Sequence, residues 1–275
     1  AYSDAPIGTD MMPAMNIDHC KMNAALQVVQ FNHYEPYDEL YKPSFWFDYM
    51  RPIKKDQPFW NTETQCCWNG SEYAGCGHRP AGNCYVNTLL PILKGGEMNL
   101  YWLWRTHPCG HEIGHGAVLT SAGRFNHTIA ETQRAVADAN KCKDFLTGTK
   151  VKNEIAVHFS TTSALNLRYA PLAKGLDYVK TVIDCTTALR HYGADVIGTG
   201  APLDGYKVVV SPLLSCVAEN GLKERMLDFV ERGGTWIVGP MSDIMTDYAC
   251  KYTDAPYGFL EDVVGVYTKY QFPLP

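Results

Sequence analysis

Short apolar runs alternate with amphipathic segments along this chain. That alternation constrains its fold more than any other feature, because it is the pattern of β/α units built around a parallel sheet. Strands are expected at Ile7 to Met12, Leu26 to Phe31, Phe59 to Thr62 and Met98 to Trp104. Helices are expected at Pro43 to Arg51, Asn83 to Lys94 and Arg124 to Leu146, the last with Ile129, Val136 and Phe145 on one face. Three of the strands end in polar or aromatic residues, namely Asn32-His33-Tyr34, Glu63-Thr64-Gln65 and Trp104-Arg105. In a parallel α/β barrel the C-terminal strand ends are where chemistry gathers. Four strands make half of an eight-stranded barrel.

The polar segment Gly148 to Lys152 separates this pattern from a second one. Ile155 to Phe159 reads as a strand, Gly175 to Tyr192 as a helix stopped by Gly193, and Ala194 to Ile197 and Tyr206 to Ser211 as further strands. Helix Glu219 to Arg232 ends at Gly233-Gly234 before strand Thr235 to Val238. This order suggests a flavodoxin-like three-layer α/β/α sandwich. The 275 residues suit one large domain or two. The reading is two, residues 1–150 as a partial barrel and 151–275 as the sandwich.

Net charge is −5, scattered and without a Lys/Arg run, which argues against nucleic acid or an anionic membrane as partner and suits a small neutral substrate. No apolar stretch reaches the roughly 18 residues needed to span a bilayer, and the first residues given lack the basic and apolar regions of a signal peptide. A start at Ala1 without Met, and an end at Gln271-Phe272-Pro273-Leu274-Pro275, suggest a piece of something longer. The ten cysteines are scattered and include the adjacent pair Cys66-Cys67, unlike a secreted disulfide framework, so a reducing, cytoplasmic setting is expected. Cys66, Cys67, Cys76, His78 and Cys84 could offer soft ligands to a structural zinc, but paired CxxC or HxxxH spacing is missing. Buried or loop thiols without any cofactor are the expectation there.

The run Phe59-Trp60-Asn61-Thr62-Glu63-Thr64-Gln65 stops abruptly at a carboxylate with tryptophans on both sides. Aromatic faces stack on the apolar face of a pyranose, and an ionised Glu at a strand end can attack or stabilise an anomeric carbon. Taken alone, Glu63 is better read as a carboxylate capping the end of a buried strand; the residues downstream shift the balance. In the second domain, Gly198-Thr199-Gly200 lacks the third glycine of a dinucleotide fingerprint, and Cys216 lacks the glycines of a nucleophile elbow. That domain is expected to pack or assemble rather than catalyse; an amidotransferase-like activity would require a reactive Cys216.

Three blocks together resemble the glycoside hydrolase family 42 β-galactosidases. They are Phe59 to Gln65 with Trp68 following, Tyr101-Trp102-Leu103-Trp104-Arg105 leading to Gly110-His111-Glu112-Ile113-Gly114-His115, and Pro256-Tyr257-Gly258-Phe259-Leu260-Glu261-Asp262-Val263. The resemblance runs the whole chain. It implies the C-terminal half of a (β/α)8 TIM barrel, about strands 5 to 8, followed by a flavodoxin-like domain of class I glutamine amidotransferase-like type, truncated at its end, which in the family builds a trimer. It implies that Glu63 is the nucleophile of a retaining mechanism and that Glu112 and His115 bind galactose hydroxyls, their i, i+3 spacing placing both on one face of a helical turn. Trp68 is similar in placement to a sugar-stacking tryptophan. Arg105 is expected to orient Glu63 or pair with Glu112. Of the family's Asp-Asn-Tyr stretch only Tyr34 is shared, and Arg79-Pro80-Ala81-Gly82 resembles its Arg-Pro-Gly turn with an Ala inserted.

A retaining glycosidase needs a second carboxyl group about 5 to 5.5 Å from the first. In the family this acid follows an Asn on the fourth barrel strand, and no Asn-Glu precedes Glu63; Asn153-Glu154 opens the second domain instead. The expectation is a fragment whose acid/base and four-cysteine zinc cluster lie in a missing N-terminal half. Full-length protein would act as a homotrimer on terminal β-galactosides, while the chain alone would be nearly inactive. A non-catalytic carbohydrate-binding or assembly subunit is the alternative.

Overall fold

The computed structural model describes residues 4–13, 17–70, 77–254, 258, 260–270 and 272. Cys76 of the cysteine cluster, and Pro256, Tyr257 and Phe259 of the last resemblance block, lie outside the described residues. In chain order the elements are α1 (His19–Ala24), β1 (Gln30–Asn32), α2 (Tyr41–Met50), β2 (Trp60–Thr64), α3 (Asn83–Leu93), β3 (Met98–Tyr101), α4 (Ile129–Leu146), β4 (Ile155–Phe159), α5 (Thr161–Tyr169), α6 (Tyr178–Ala188), β5 (Asp195–Gly198), β6 (Val208–Ser211), α7 (Leu222–Glu231), β7 (Thr235–Val238) and α8 (Leu260–Val264). The chain divides into two compact units, residues 1–13 with 21–151 and residues 14–20 with 152–275. Each holds one parallel sheet, so the architecture is α/β.

In the first unit the sheet order is β1-β2-β3. Phe31, Phe47 and Phe59 lock β1, the β2 entry and α2 together, with ring centroids 5.2 Å apart for Phe31 and Phe47 and 5.4 Å for Phe47 and Phe59. Helix α2 is buried on nearly every side, and its Asp48 carboxylate is held by Arg51 and Lys94, each at 2.7 Å. Glu131 of α4 reaches the start of α3, accepting from the Gly82 N–H at 2.7 Å and the Tyr85 N–H at 3.3 Å. These bonds supply partners for N–H groups that a helix start leaves open.

Two expectations are corrected here. Residues 7–12 form no strand: Ile7 O accepts from the Gln27 and Val28 amides and Met11 O from the Asn32 amide, bonds at either end without a ladder between them. Pro6 has no N–H to give, and the segment lies extended beside β1 instead of extending the sheet. On α4 Ile129 packs inward against Cys66, Cys67, Cys84 and Val118, but Val136 and Phe145 do not share that face. Val136 is 50% and Phe145 80% exposed, while Ala135 is fully buried. The helix is oriented by polar cross-links to α3, through Glu131 and through Asp138, which accepts from Tyr85 Oη at 2.9 Å. It also starts at Ile129 and not Arg124, because residues 118–126 fold back in bridges of Leu119 to Arg105 and to Phe125.

In the second unit the order is β5-β4-β6-β7, all parallel. Its core gathers Ala156, Ile197, Val209, Leu214, Leu222, Met226 and Phe229. Helix α5 was not expected; it is started by Ser160, whose Oγ accepts from the Ser163 amide at 2.9 Å, a side-chain N-cap. Helix α6 begins three residues later than read, at the Asp177 cap. No helix among the described residues is long and apolar enough to cross a membrane.

Candidate active site

Glu63 stands near the C-terminal end of the central strand β2, paired with Asn32 of β1. The register slips on both sides of it, between Phe31 and Asn32 and between Asn61 and Thr64. Such irregularities re-aim side chains that would otherwise alternate strictly between faces. Thr62 and Glu63 are accordingly both half-buried, while Asn61 and Thr64 point into the core. Asn61 Nδ2 donates to Asn99 Oδ1 at 2.6 Å, and Asn87 Nδ2 donates to Thr64 Oγ1 at 2.9 Å, so polar pairs fix β2 against β3 and α3.

Tyr34, just beyond β1, donates its phenol hydrogen to Glu63 Oε1. Its ring meets His115 edge-on at 6.3 Å. Burial and then the bond to Glu63 raise the Tyr34 phenol well above its ordinary value, so it remains a donor. The Glu63 carboxyl is pushed up to about 7, chiefly by burial, with Asp10 and Glu112 adding to the rise and the Tyr34 hydrogen bond opposing it.

The turn carrying Glu112 and His115 is strapped to the loop after β2. Trp68 Nε1 donates to Gly114 O at 2.7 Å, and the Gly116 amide donates to Trp68 O at 3.1 Å. A Cβ on Gly70 would lie 2.0 Å from the Gly114 backbone, and one on Gly116 2.6 Å from the Trp68 ring, so only glycine allows these approaches. The i, i+3 spacing is realised as a hydrogen-bonded turn, the His115 amide donating to Glu112 O at 3.0 Å, and not as a helix. His115 is buried, and both ring nitrogens have no hydrogen-bond partner among the described residues. Burial lowers its basicity. A buried imidazole with two open nitrogens suits a ligand that brings its own hydroxyls.

Other expectations are revised. Arg105 neither orients Glu63 nor pairs with Glu112; its Nη2 and Nε donate to Ser121 O at 2.6 and 3.0 Å on the exposed surface. The bridge of Arg105 to Leu119 carries its side chain outward. Glu112 has His107 at 3.7 Å and His111 at 3.9 Å instead. The described cysteine-cluster members do not converge on an ion: Cys66 and Cys67 sulfurs lie 3.4 Å apart, Cys67 meets Thr128 Oγ1 at 3.0 Å, and Cys84 meets Thr132 Oγ1 at 3.5 Å. His78 stacks on His127 at 4.2 Å and beside Trp68 at 6.4 Å. Among the described residues no group of three His, Cys, Asp or Glu side chains is placed to hold a metal.

A family model described as beta-galactosidase matches residues 1–160, and another, described as beta-galactosidase trimerisation domain, matches residues 153–275. The chain belongs to glycoside hydrolase family 42. It is 30% identical to beta-galactosidase YesZ of Bacillus licheniformis over all of its own length and 42% of that relative's. It is 32% identical to beta-galactosidase BglY of Alicyclobacillus acidocaldarius over 70% of this chain and 28% of the relative. Among solved structures, the beta-galactosidase from Bacillus circulans sp. alkalophilus superposes with a TM-score of 0.90 at 22% identity, over 97% of this chain and 40% of that one, which speaks for the fold alone. The match thus spans from 28% to 42% of the length of these proteins.

Within this family 42 chain, sequence reasoning missed Asp10. It accepts from Thr62 Oγ1 at 2.6 Å and Asn32 Nδ2 at 3.2 Å, and its charge pushes the Glu63 carboxyl up. Its residue type was the available signal, since Asp is depleted in strands and stood inside a segment read as one.

Proposed function

We propose that this chain carries the nucleophile half of the active site of a retaining β-galactosidase, with Glu63 as nucleophile and the acid/base on a part of the full-length polypeptide outside these residues. The observation that carries the reading is the environment of Glu63: a carboxyl at a parallel-strand end, gripped by the Tyr34 phenol, whose ring in turn meets buried His115 with its open ring nitrogens. In its ionised form Glu63 attacks the anomeric carbon, the bond to the aglycone oxygen breaks, and a covalent galactosyl ester forms. Water then displaces the sugar and returns the carboxylate. Tyr34 stabilises the charge on Glu63 before attack and after release. Glu112 and His115 serve as hydroxyl partners, and Trp68, strapped to their turn, serves as the stacking face.

The sheet β1-β2-β3 supports reading the first unit as part of the C-terminal half of a (β/α)8 barrel, and the order β5-β4-β6-β7 supports a flavodoxin-like second unit. The full-length protein is a cytoplasmic homotrimer assembled through the second unit, acting on terminal β-galactosides without a cofactor. Ordinary galactosides are turned over poorly by these residues alone, because general-acid assistance contributes about 10² to 10⁴ in rate.

The test is intact mass after incubation with a 2-deoxy-2-fluoro-galactoside bearing an activated leaving group, which needs little acid help. One adduct on the Glu63 peptide, absent in Glu63→Gln, is the expected result. A chain with ordered aromatics by near-UV circular dichroism and no adduct overturns the catalytic reading in favour of a binding or assembly subunit.

A further inference from the structure

Glu63 has a carboxyl neighbour that the retaining mechanism does not call for. Asp10 lies in the extended segment beside β1, and two donors converge on its Oδ1, Thr62 Oγ1 at 2.6 Å and Asn32 Nδ2 at 3.2 Å. Both donors belong to the strands that flank or contain Glu63, and Asn32 is Glu63's register partner. The Asp10 side chain is therefore tied to the same two strands that aim the nucleophile. Held there, the Asp10 charge opposes ionisation of Glu63.

We propose that Asp10 is a positioning residue for Glu63: anchored by Thr62 and Asn32, it holds a second carboxylate near the nucleophile and so sets the pH range over which Glu63 is free to attack. This rests on the reading of Glu63 as nucleophile. The groups facing the pair are Tyr34 from the end of β1, which donates to Glu63, and Glu112 from the strapped turn, which adds a second negative charge at longer range. His115 stands behind Tyr34, and Thr62 and Asn32 bring uncharged donors. Asp10 and Glu112 thus both favour the protonated form of Glu63, against Tyr34.

Asp10→Asn is nearly isosteric. Its Oδ1 keeps both donors while its amide offers Glu63 a hydrogen in place of a competing charge. The Glu63 titration is read by carbon-13 NMR of the glutamate-labelled 275-residue chain, with Glu63→Gln assigning the resonance. The wild-type midpoint lies near 7. In Asp10→Asn it moves down, and the labelling rate by the activated fluoro-galactoside at pH 6 rises about fivefold, because the ionised share goes from about one tenth to one half or more. Asp10→Ala moves the midpoint the same way while losing the anchor, so either variant that keeps the native near-UV spectrum decides. An unchanged midpoint in a folded variant overturns the proposal. Absence of any adduct on Glu63 across the pH range, with the midpoint shifted as expected, overturns the nucleophile reading instead, since the NMR titration needs no sugar chemistry.

Discussion

Removing the Tyr34 hydroxyl has a consequence of defined sign. In Tyr34→Phe the ring and its contact with His115 remain, while Glu63 Oε1 loses its donor. A hydrogen bond to a charged group contributes about 1.5 to 3 kcal/mol, which corresponds to about 1 to 2 pK units. Glu63 is only half-buried, so solvent screening favours the lower end of that range. Starting from a midpoint of about 7, roughly half of Glu63 is ionised at pH 7 in the wild type. After the loss, about one tenth or less is ionised, and the rate of covalent labelling at pH 7 falls about fivefold or more. The rate recovers as the pH is raised past the new midpoint, because the variant still has its nucleophile. Labelling rate against pH, at fixed reagent concentration, reads this directly. A profile that does not move, or that moves toward acid, refutes the account of how Glu63 is held; a rate lowered equally at every pH means the hydroxyl positions the sugar and not the carboxylate.

Gly116→Ala places a methyl group against the Trp68 ring and Cys67 Cβ, so the strap to Gly114 loosens; Trp fluorescence shifts and sugar labelling weakens at subsaturating reagent while near-UV ellipticity elsewhere is kept. Phe47→Ala removes a fully buried ring from the centre of the Phe31, Phe47 and Phe59 cluster and lowers the stability of the first unit by about 3 to 5 kcal/mol, measured by denaturant unfolding. His158 is buried at the heart of β4 beside Ser211 Oγ, and its basicity is lowered from 6.5 to about 3 by burial and then by Arg225. Its contribution to stability is fully present above the unfolded value and is lost as the pH falls through 6.5 toward 3, amounting to about 2 kcal/mol at pH 5; His158→Gln flattens that part of the acid unfolding curve. Alkylation at pH 7 reaches the exposed Cys109, Cys142 and Cys250 first, whereas Cys216, buried and pushed up to about 11, reacts only on unfolding. Fast native alkylation of Cys216 would revive an amidotransferase-like role for the second unit.

The legible parts of this chain are those where local pattern and packing agree. Strand Thr235–Val238 stands where its β-formers end a Gly-Gly stop, and Ile155–Phe159 is an apolar run buried on both faces. Helix α3 runs between two glycines and was read within one residue of its end. Helix α5 escaped because its strongest signal is a single Ser160 cap, and its burial is shared among Ser163, Ala164, Asn166 and Leu167 without an apolar stripe. The face of α4 escaped for a related reason. Val136 and Phe145 look like core residues, but Glu131 and Asp138 make specific bonds to α3 that turn the helix about its axis. Polar partners across elements are invisible to hydrophobic periodicity.

The same distinction runs through the site. Glu63 stood out because a carboxylate ended an apolar run, and Glu112 with His115 because of their spacing. What sets the chemistry of Glu63, however, comes from residues distant in sequence: Tyr34 beyond a neighbouring strand, and Asp10 in a segment that makes no strand at all. Arg105 failed as a partner because a single backbone bridge to Leu119 redirected it toward Ser121. A carboxyl balanced between a phenol donor and a second carboxyl is one that small changes can move in either direction. Tyr34→Phe and Asp10→Asn therefore act on one group with opposite sign, and combining them should bring the Glu63 midpoint back toward that of the wild type. Residues that act on one group need not add, and the departure from additivity measures how strongly the phenol and the second carboxyl oppose each other there.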